Sequence, residues 1–227
     1  MEKLKDFYDK LPKNKKIVLW ISVAVIILSI ISVPIRISSR KEKITTKTYL
    51  KNLKSPDKYE KRDAILAVGI VKLKEAIPIL EEIMEKEPEF KELAARSIGK
   101  IDFNKLLSML ESKNKEVKFA AMDAIIGIDK ENISYLLEKF PEEDTETKLK
   151  ILSFMKNEKY QEKVLSLAEN QKEPVEVRKK CLEILKEIGT ESIETRLWGI
   201  TYKDSDEGVK NLAKETIEYI RGKEKKK

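Results

Sequence analysis

The sequence predicts an all-α protein: an α-solenoid of about five helical hairpins plus a closing helix, preceded by one transmembrane helix. Three observations carry this expectation. One pattern recurs six times between residues 56 and 221 at steps of 30, 27, 30, 30 and 32 residues, and a period of that size marks stacked supersecondary units. The 19 residues from 17 to 35 contain no charged side chain. Seven glycines and seven prolines in 227 residues leave few of the turn signals that a sheet architecture needs.

Residues 1–16 form a basic amino-terminal tail with six lysines. Within it Leu4, Phe7, Tyr8 and Leu11 keep helical spacing, so the tail reads either as a short interfacial helix ending before Pro12 or as a solvated segment. At 1.5 Å per residue the uncharged stretch 17–35 reaches about 28 Å as a helix, close to the hydrocarbon thickness of a bilayer. Trp20 suits an interfacial anchor, and Pro34 and Arg36 end the span. A cleaved signal peptide is the competing reading, but its apolar region would be shorter and would close on a small-x-small site. Lysines and arginines nearly balance across the span. The lysine-rich tail resists translocation, which tips the expectation towards a repeat domain on the extracytoplasmic side. Residues 36–55 are a basic connector with a short helix over 46–53 before Pro56.

In the repeat domain, 56–221, Glu60, Phe90, Val117, Thr147, Val177 and Val209 serve as markers. Four residues later stand Ala64, Ala94, Ala121, Ile151, Cys181 and Ala213; eight later, Val68, Ile98, Ile125, Met155, Leu185 and Ile217. Eleven later come Val71, Ile101, Ile128, Glu158, Ile188 and Ile220. Offsets of 4, 8 and 11 lie on one helical stripe, so these columns predict a buried seam. Three residues before each marker stand Asp57, Glu87, Asn114, Asp144, Pro174 and Asp206, side chains suited to a helix start, with proline harmless in a first turn. A second apolar stripe follows each helix: Ile77, Leu80 and Met84; Leu106, Leu107 and Leu110; Ile133, Leu136 and Leu137; Val164, Leu165 and Ala168; Ile193 and Leu197. Each unit therefore reads as a helical hairpin. Residues 222–227 read as a disordered basic tail.

Over 56–221 the pattern resembles the HEAT repeat family, in particular the phycobilisome-lyase HEAT-like short repeats. The resemblance is carried by Asp206-Glu207-Gly208-Val209-Lys210, by Val177-Arg178 with Gly189, and by Ala76-Ile77-Pro78-Ile79-Leu80 opening a second helix. The fourth unit departs from it, with Thr147 for valine and no closing glycine, which puts its register in doubt. The resemblance implies a fold, and a fold does not fix a function.

The chain has no histidine and one cysteine, which removes histidine-based acid–base chemistry, disulfide frameworks and most transition-metal sites. No catalytic, cofactor-binding or metal-binding residue set emerges, and no cofactor is expected. Cys181 sits in the small-residue column and reads as core filler. Residues 1–54 hold 13 basic and 4 acidic side chains and residues 221–227 hold 5 and 1, leaving residues 55–220 with a net charge of −6. An acidic body argues against nucleic acid as a partner.

The basic column Lys61, Lys91, Lys118, Lys148, Arg178 and Lys210 is open to two readings: a ladder for an anionic partner, or local pairing with the acid four residues earlier, as in Asp57–Lys61, Glu87–Lys91, Asp144–Lys148 and Asp206–Lys210. Local pairing is the simpler. Trp198, near Tyr202, covers the end of the core or anchors a partner. The clusters Glu142-Glu143-Asp144 and Glu81-Glu82 read as solvated helix ends before cation sites. The expectation is a single-pass membrane scaffold for protein–protein interaction, non-catalytic, whose partner-binding residues are unknown. Alternatives are a bilin-lyase-like enzyme, implied by the resemblance alone, and a binder of anionic polymers or lipid surfaces acting through the connector and tail.

Overall fold

The computed structural model describes residues 45–224 and Pro12. The predicted transmembrane helix 17–35, the rest of the tail 1–16 and the connector before residue 45 lie outside the described residues. Among the described residues no helix is long and apolar enough to cross a membrane. All regular structure there is helical, with twelve α-helices and no strand.

The chain divides into two compact units at Val68 and Gly69, inside a helix. The first holds α1 (45–52), one residue earlier than predicted, and most of α2 (Lys58–Ile70). Asp57 starts α2 as expected: its side chain accepts from the amides of Tyr59 and Glu60 at 2.8 and 2.9 Å. The Ser55 hydroxyl donates to Glu60 at 2.5 Å, and Leu53 is buried.

The second unit holds α3 (Ile77–Lys86), α4 (Lys91–Ile101), α5 (Phe103–Ser108), α6 (Lys115–Ile128), α7 (Ile133–Lys139) and α8 (Thr145–Leu152). It continues with α9 (Gln161–Glu169), α10 (Val175–Ile188), α11 (Glu194–Lys203) and α12 (Glu207–Glu224). The even-numbered helices are those of the markers. They pack in series, α4 on α6, α6 on α8, α8 on α10 and α10 on α12, and the odd-numbered helices fill in beside them, as α3 does on α4, α9 on α10 and α11 on α12. Asn114, Asp144 and Asp206 cap their helices through the amides of Val117, Thr147 and Val209; Glu87 and Pro174 stand at the expected places without a side-chain cap. α12 runs on to Glu224, three residues past the predicted edge at 221.

The columns at offsets 4 and 8 are buried in every repeat, Ala94, Ala121, Ile151, Cys181, Ile98, Ile125, Met155 and Leu185 showing no exposure. The column at 11 is only half right. Ile101, Ile188 and Ile220 are buried, but Val71 and Ile128 are 51% and 40% exposed, because α2 stops before Val71 and α6 ends at Ile128, where the chain turns out of the seam. In the fourth repeat α8 has only 8 residues. Met155 still reaches the core from a turn, its amide bonded to the Leu152 carbonyl at 2.9 Å. Gly189, which closes α10, has ordinary extended backbone with φ −71°. It is required by crowding: a Cβ there would lie 2.4 Å from the Leu185 carbonyl oxygen.

The basic column corrects the local-pairing expectation. Lys91, Lys118, Lys148 and Arg178 bond forward, 25 or 26 residues along the chain, to Glu116, Glu143, Glu173 and Asp204. Lys118 meets Glu143 at 2.8 Å, Lys148 meets Glu173 at 2.8 Å, and Arg178 takes Asp204 in a two-point grip at 2.9 and 2.8 Å. Lys210 pairs locally, with Glu207 three residues before it. The marker helix directs its first-turn cation towards the next unit, where the chain re-enters. Helical spacing alone could not show that a partner closer in space than the i−4 acid existed.

A column not read from the sequence stands five after each marker. Ala95, Met122, Leu152 and Leu182 are buried there, whereas Lys214 on α12 is exposed.

Candidate functional site

Many charged side chains of the second unit are engaged between helices. Lys105 holds Glu81 at 2.6 Å, Lys159 holds Glu131 at 2.6 Å, Lys150 holds Asp123 at 2.7 Å, and Lys139 holds Glu111. Members of the two acidic clusters are paired as well, within a helix or between helices. Glu82 pairs with Lys86 at 2.7 Å, Glu143 with Lys118, and Asp144 with Lys115 at 3.0 Å. The amide of Thr147 and then Lys115 hold the Asp144 carboxyl down to about 2. Among the described residues no group of three histidine, cysteine, aspartate or glutamate side chains is placed to hold a metal ion. Cys181 is fully buried, and loss of solvent pushes its thiol up to about 12.

One surface stands apart, on α11. A groove of about 380 Å³ runs along it, lined by Glu169 and Gln171 on one side and Thr195, Arg196, Gly199 and Lys203 on the other, with Ile200 and Asp204 beneath. Its geometry follows from helix periodicity. Leu197, Ile200 and Thr201 turn into the core, so Thr195, Gly199 and Lys203, at i, i+4 and i+8, form the opposite, outward row. A Cβ at Gly199 would meet nothing within 4 Å, which makes that point of the row a notch. Arg196 forms one wall and is fixed. Its guanidinium grips Glu169, with Nε to Oε1 at 3.0 Å, and reaches Glu162 at 2.7 Å; the bond to Glu169 raises its pKa. Gln171 is held through its amide nitrogen, which donates to the Lys203 carbonyl at 2.8 Å.

Along the other flank lies an aromatic pair. Trp198 and Tyr202 stack with ring centroids 6.2 Å apart, and Arg221 of α12 lies 5.9 Å over the Trp198 ring. The Trp198 indole nitrogen donates to Glu194 at 3.2 Å. Glu194 also takes Arg221, with Nε to Oε2 at 3.0 Å, and the Arg221 bond lowers its pKa. Trp198 is therefore half-buried and locked, while Tyr202 is 78% exposed. Trp198 is held between Glu194 and Arg221, and Tyr202 stands out from the surface. Lys203 has no ion-pair partner among the described residues, in contrast with the paired cations around it.

Sequence reading singled out Trp198 and Tyr202 but missed the notch, because a glycine inside a helix gives no sign of which way it points. No family model matches the chain, and no curated protein matches it significantly.

Proposed function

We propose that this chain is a membrane-anchored, HEAT-like α-solenoid scaffold that binds another protein, without catalysis, across the exposed face of α11. The serial packing of α4, α6, α8, α10 and α12 on one seam supports the solenoid reading. The uncharged stretch 17–35 supports the anchor. The observation that carries the binding reading is the contrast on α11. A rigid, ion-paired surround, with Arg196 and Arg221 each held by carboxylates, frames an exposed tyrosine, an open notch at Gly199 and an unpaired lysine. Interfaces concentrate their energy in such features, aromatic anchors beside a pocket on a pre-organised base.

The test places a photo-crosslinking phenylalanine at Tyr202 in the full chain in cells, with Tyr219, an exposed tyrosine on α12, as control. The expected result is one adduct from position 202 that disappears with Gly199→Arg, which fills the notch without touching the core. Equal adducts from both positions, or an adduct indifferent to Gly199→Arg, would overturn the assignment.

A further inference from the structure

The turn between α2 and α3 combines exposed aliphatic side chains, a strained backbone position and lysines without acidic partners. Ile70 and Val71 are 72% and 51% exposed. Lys72 has φ 54°, among the described residues the only non-glycine with positive φ, a conformation disfavoured for a side chain of that size. Leu73 occupies the cap position of the short helical turn Lys74–Ala76 and provides no side-chain bond; Thr190 likewise leaves its turn uncapped, whereas Asp102, Asp129 and Asn157 cap the equivalent turns through the amides of Lys105, Glu131 and Lys159. Finally, Lys72 and Lys74 have no ion-pair partner among the described residues, although other cations such as Lys105 and Lys139 are paired. Departures from local stability concentrated at one point mark a working surface.

We propose that this turn is a membrane-surface contact, with Ile70 and Val71 entering the interface of an anionic leaflet and Lys72 and Lys74 meeting its headgroups. Exposed aliphatics flanked by unneutralised lysines are the chemistry that such a surface recognises. The Asp and Glu residues of the other turns are absent here except for Glu75. The inference rests on the anchor reading only for bringing a bilayer within 35 residues of Ile70, the distance from Ile35 along the chain.

The test uses the full chain with an environment-sensitive probe on Ile70→Cys, Cys181 being buried and protonated and so left unlabelled. The protein is reconstituted into nanodiscs of zwitterionic lipid alone or mixed with anionic lipid, with spin-labelled lipid as quencher and a probe on Tyr219→Cys as control. The expected result is a blue-shifted probe at position 70, quenched in the anionic discs while position 219 is not, with the quenching lost in Lys72→Glu with Lys74→Glu. Equal response at the two positions, or none at 70, would overturn the proposal. If the protein separates from the discs on sizing, the anchor reading fails by itself. The same probe then titrates free anionic vesicles, where affinity reduced at least about tenfold by the two charge reversals upholds the contact, and unaltered affinity sinks it.

Discussion

The forward-reaching cations form a ladder whose rungs become drier along the chain, which gives a graded prediction. The side chains of Lys91 and Glu116 are 14% and 73% exposed, those of Lys118 and Glu143 16% and 13%, those of Lys148 and Glu173 9% each, and those of Arg178 and Asp204 3% and 2%. Removing one member of a solvated pair costs roughly 0.2–1 kcal/mol, whereas stranding a buried charge costs about 3–5 kcal/mol. Alanine at Glu116, Glu143, Glu173 and Asp204 should therefore destabilise in rising order, reaching about 3–5 kcal/mol at Asp204. Part of the last cost comes from the cap, since Asp204 also accepts from the Asp206 amide at 2.8 Å; Asp204→Asn keeps an acceptor there and isolates the charge. Urea unfolding of each variant gives the midpoint and slope from which the difference is read. Replacing both members, Arg178→Met with Asp204→Leu, should cost less than Asp204→Ala alone, because no charge is left unmatched. If Asp204→Ala and Glu116→Ala shift the urea midpoint equally, desolvation is not what separates the rungs and the reasoning fails.

Gly199→Ala should be neutral or stabilise by up to about 1 kcal/mol, since nothing lies within 4 Å of its Cβ, whereas Gly189→Ala should destabilise because its Cβ would strike the Leu185 carbonyl at 2.4 Å; thermal melts of the two decide it. Cys181 should resist thiol reagents in the native protein and react only on unfolding, its thiol being pushed up to about 12 by burial. Asp144 should make stability fall in acid: its folded carboxyl is held near 2 against an ordinary 3.8, so its contribution is complete above the ordinary value and lost as pH drops towards the folded one. The stability gap between the natural chain and Asp144→Asn, measured by urea unfolding across that range, should close with falling pH.

The fold was legible where burial follows from a single helix. Ala94, Ala121, Cys181, Ile98 and Ile125 needed only period 3.6 and a guess at the marker. It was less legible where a helix ends, since Val71 and Ile128 keep the period but lie at or past the last turn, and end positions depend on contacts that periodicity does not contain. The α11 surface was legible in its aromatics, Trp198 and Tyr202, and not in its notch. Gly199 and Gly99 both lie inside helices, yet only at Gly99 would a Cβ press on neighbours, Leu106 and Ile128 at 2.6 Å.

The ladder eluded a column reading for a reason particular to this chain. Repeat steps vary from 27 to 32 residues, but each rung spans 25 or 26. The reach is set by the path through one hairpin and back, so the acid cannot keep a fixed place relative to the next marker. It falls four residues before Thr147 and Val177 as Glu143 and Glu173, and five before Val209 as Asp204. In the short second step the position four before Val117 is Lys113, and Lys91 takes Glu116 on the first turn of the next helix instead. That rung is the one whose acid is 73% exposed. Shortening a repeat by about three residues thus leaves the cation in place and moves its partner out of the dry gap between units. The dryness of each rung is therefore a property of hairpin length as well as of the residues that form it.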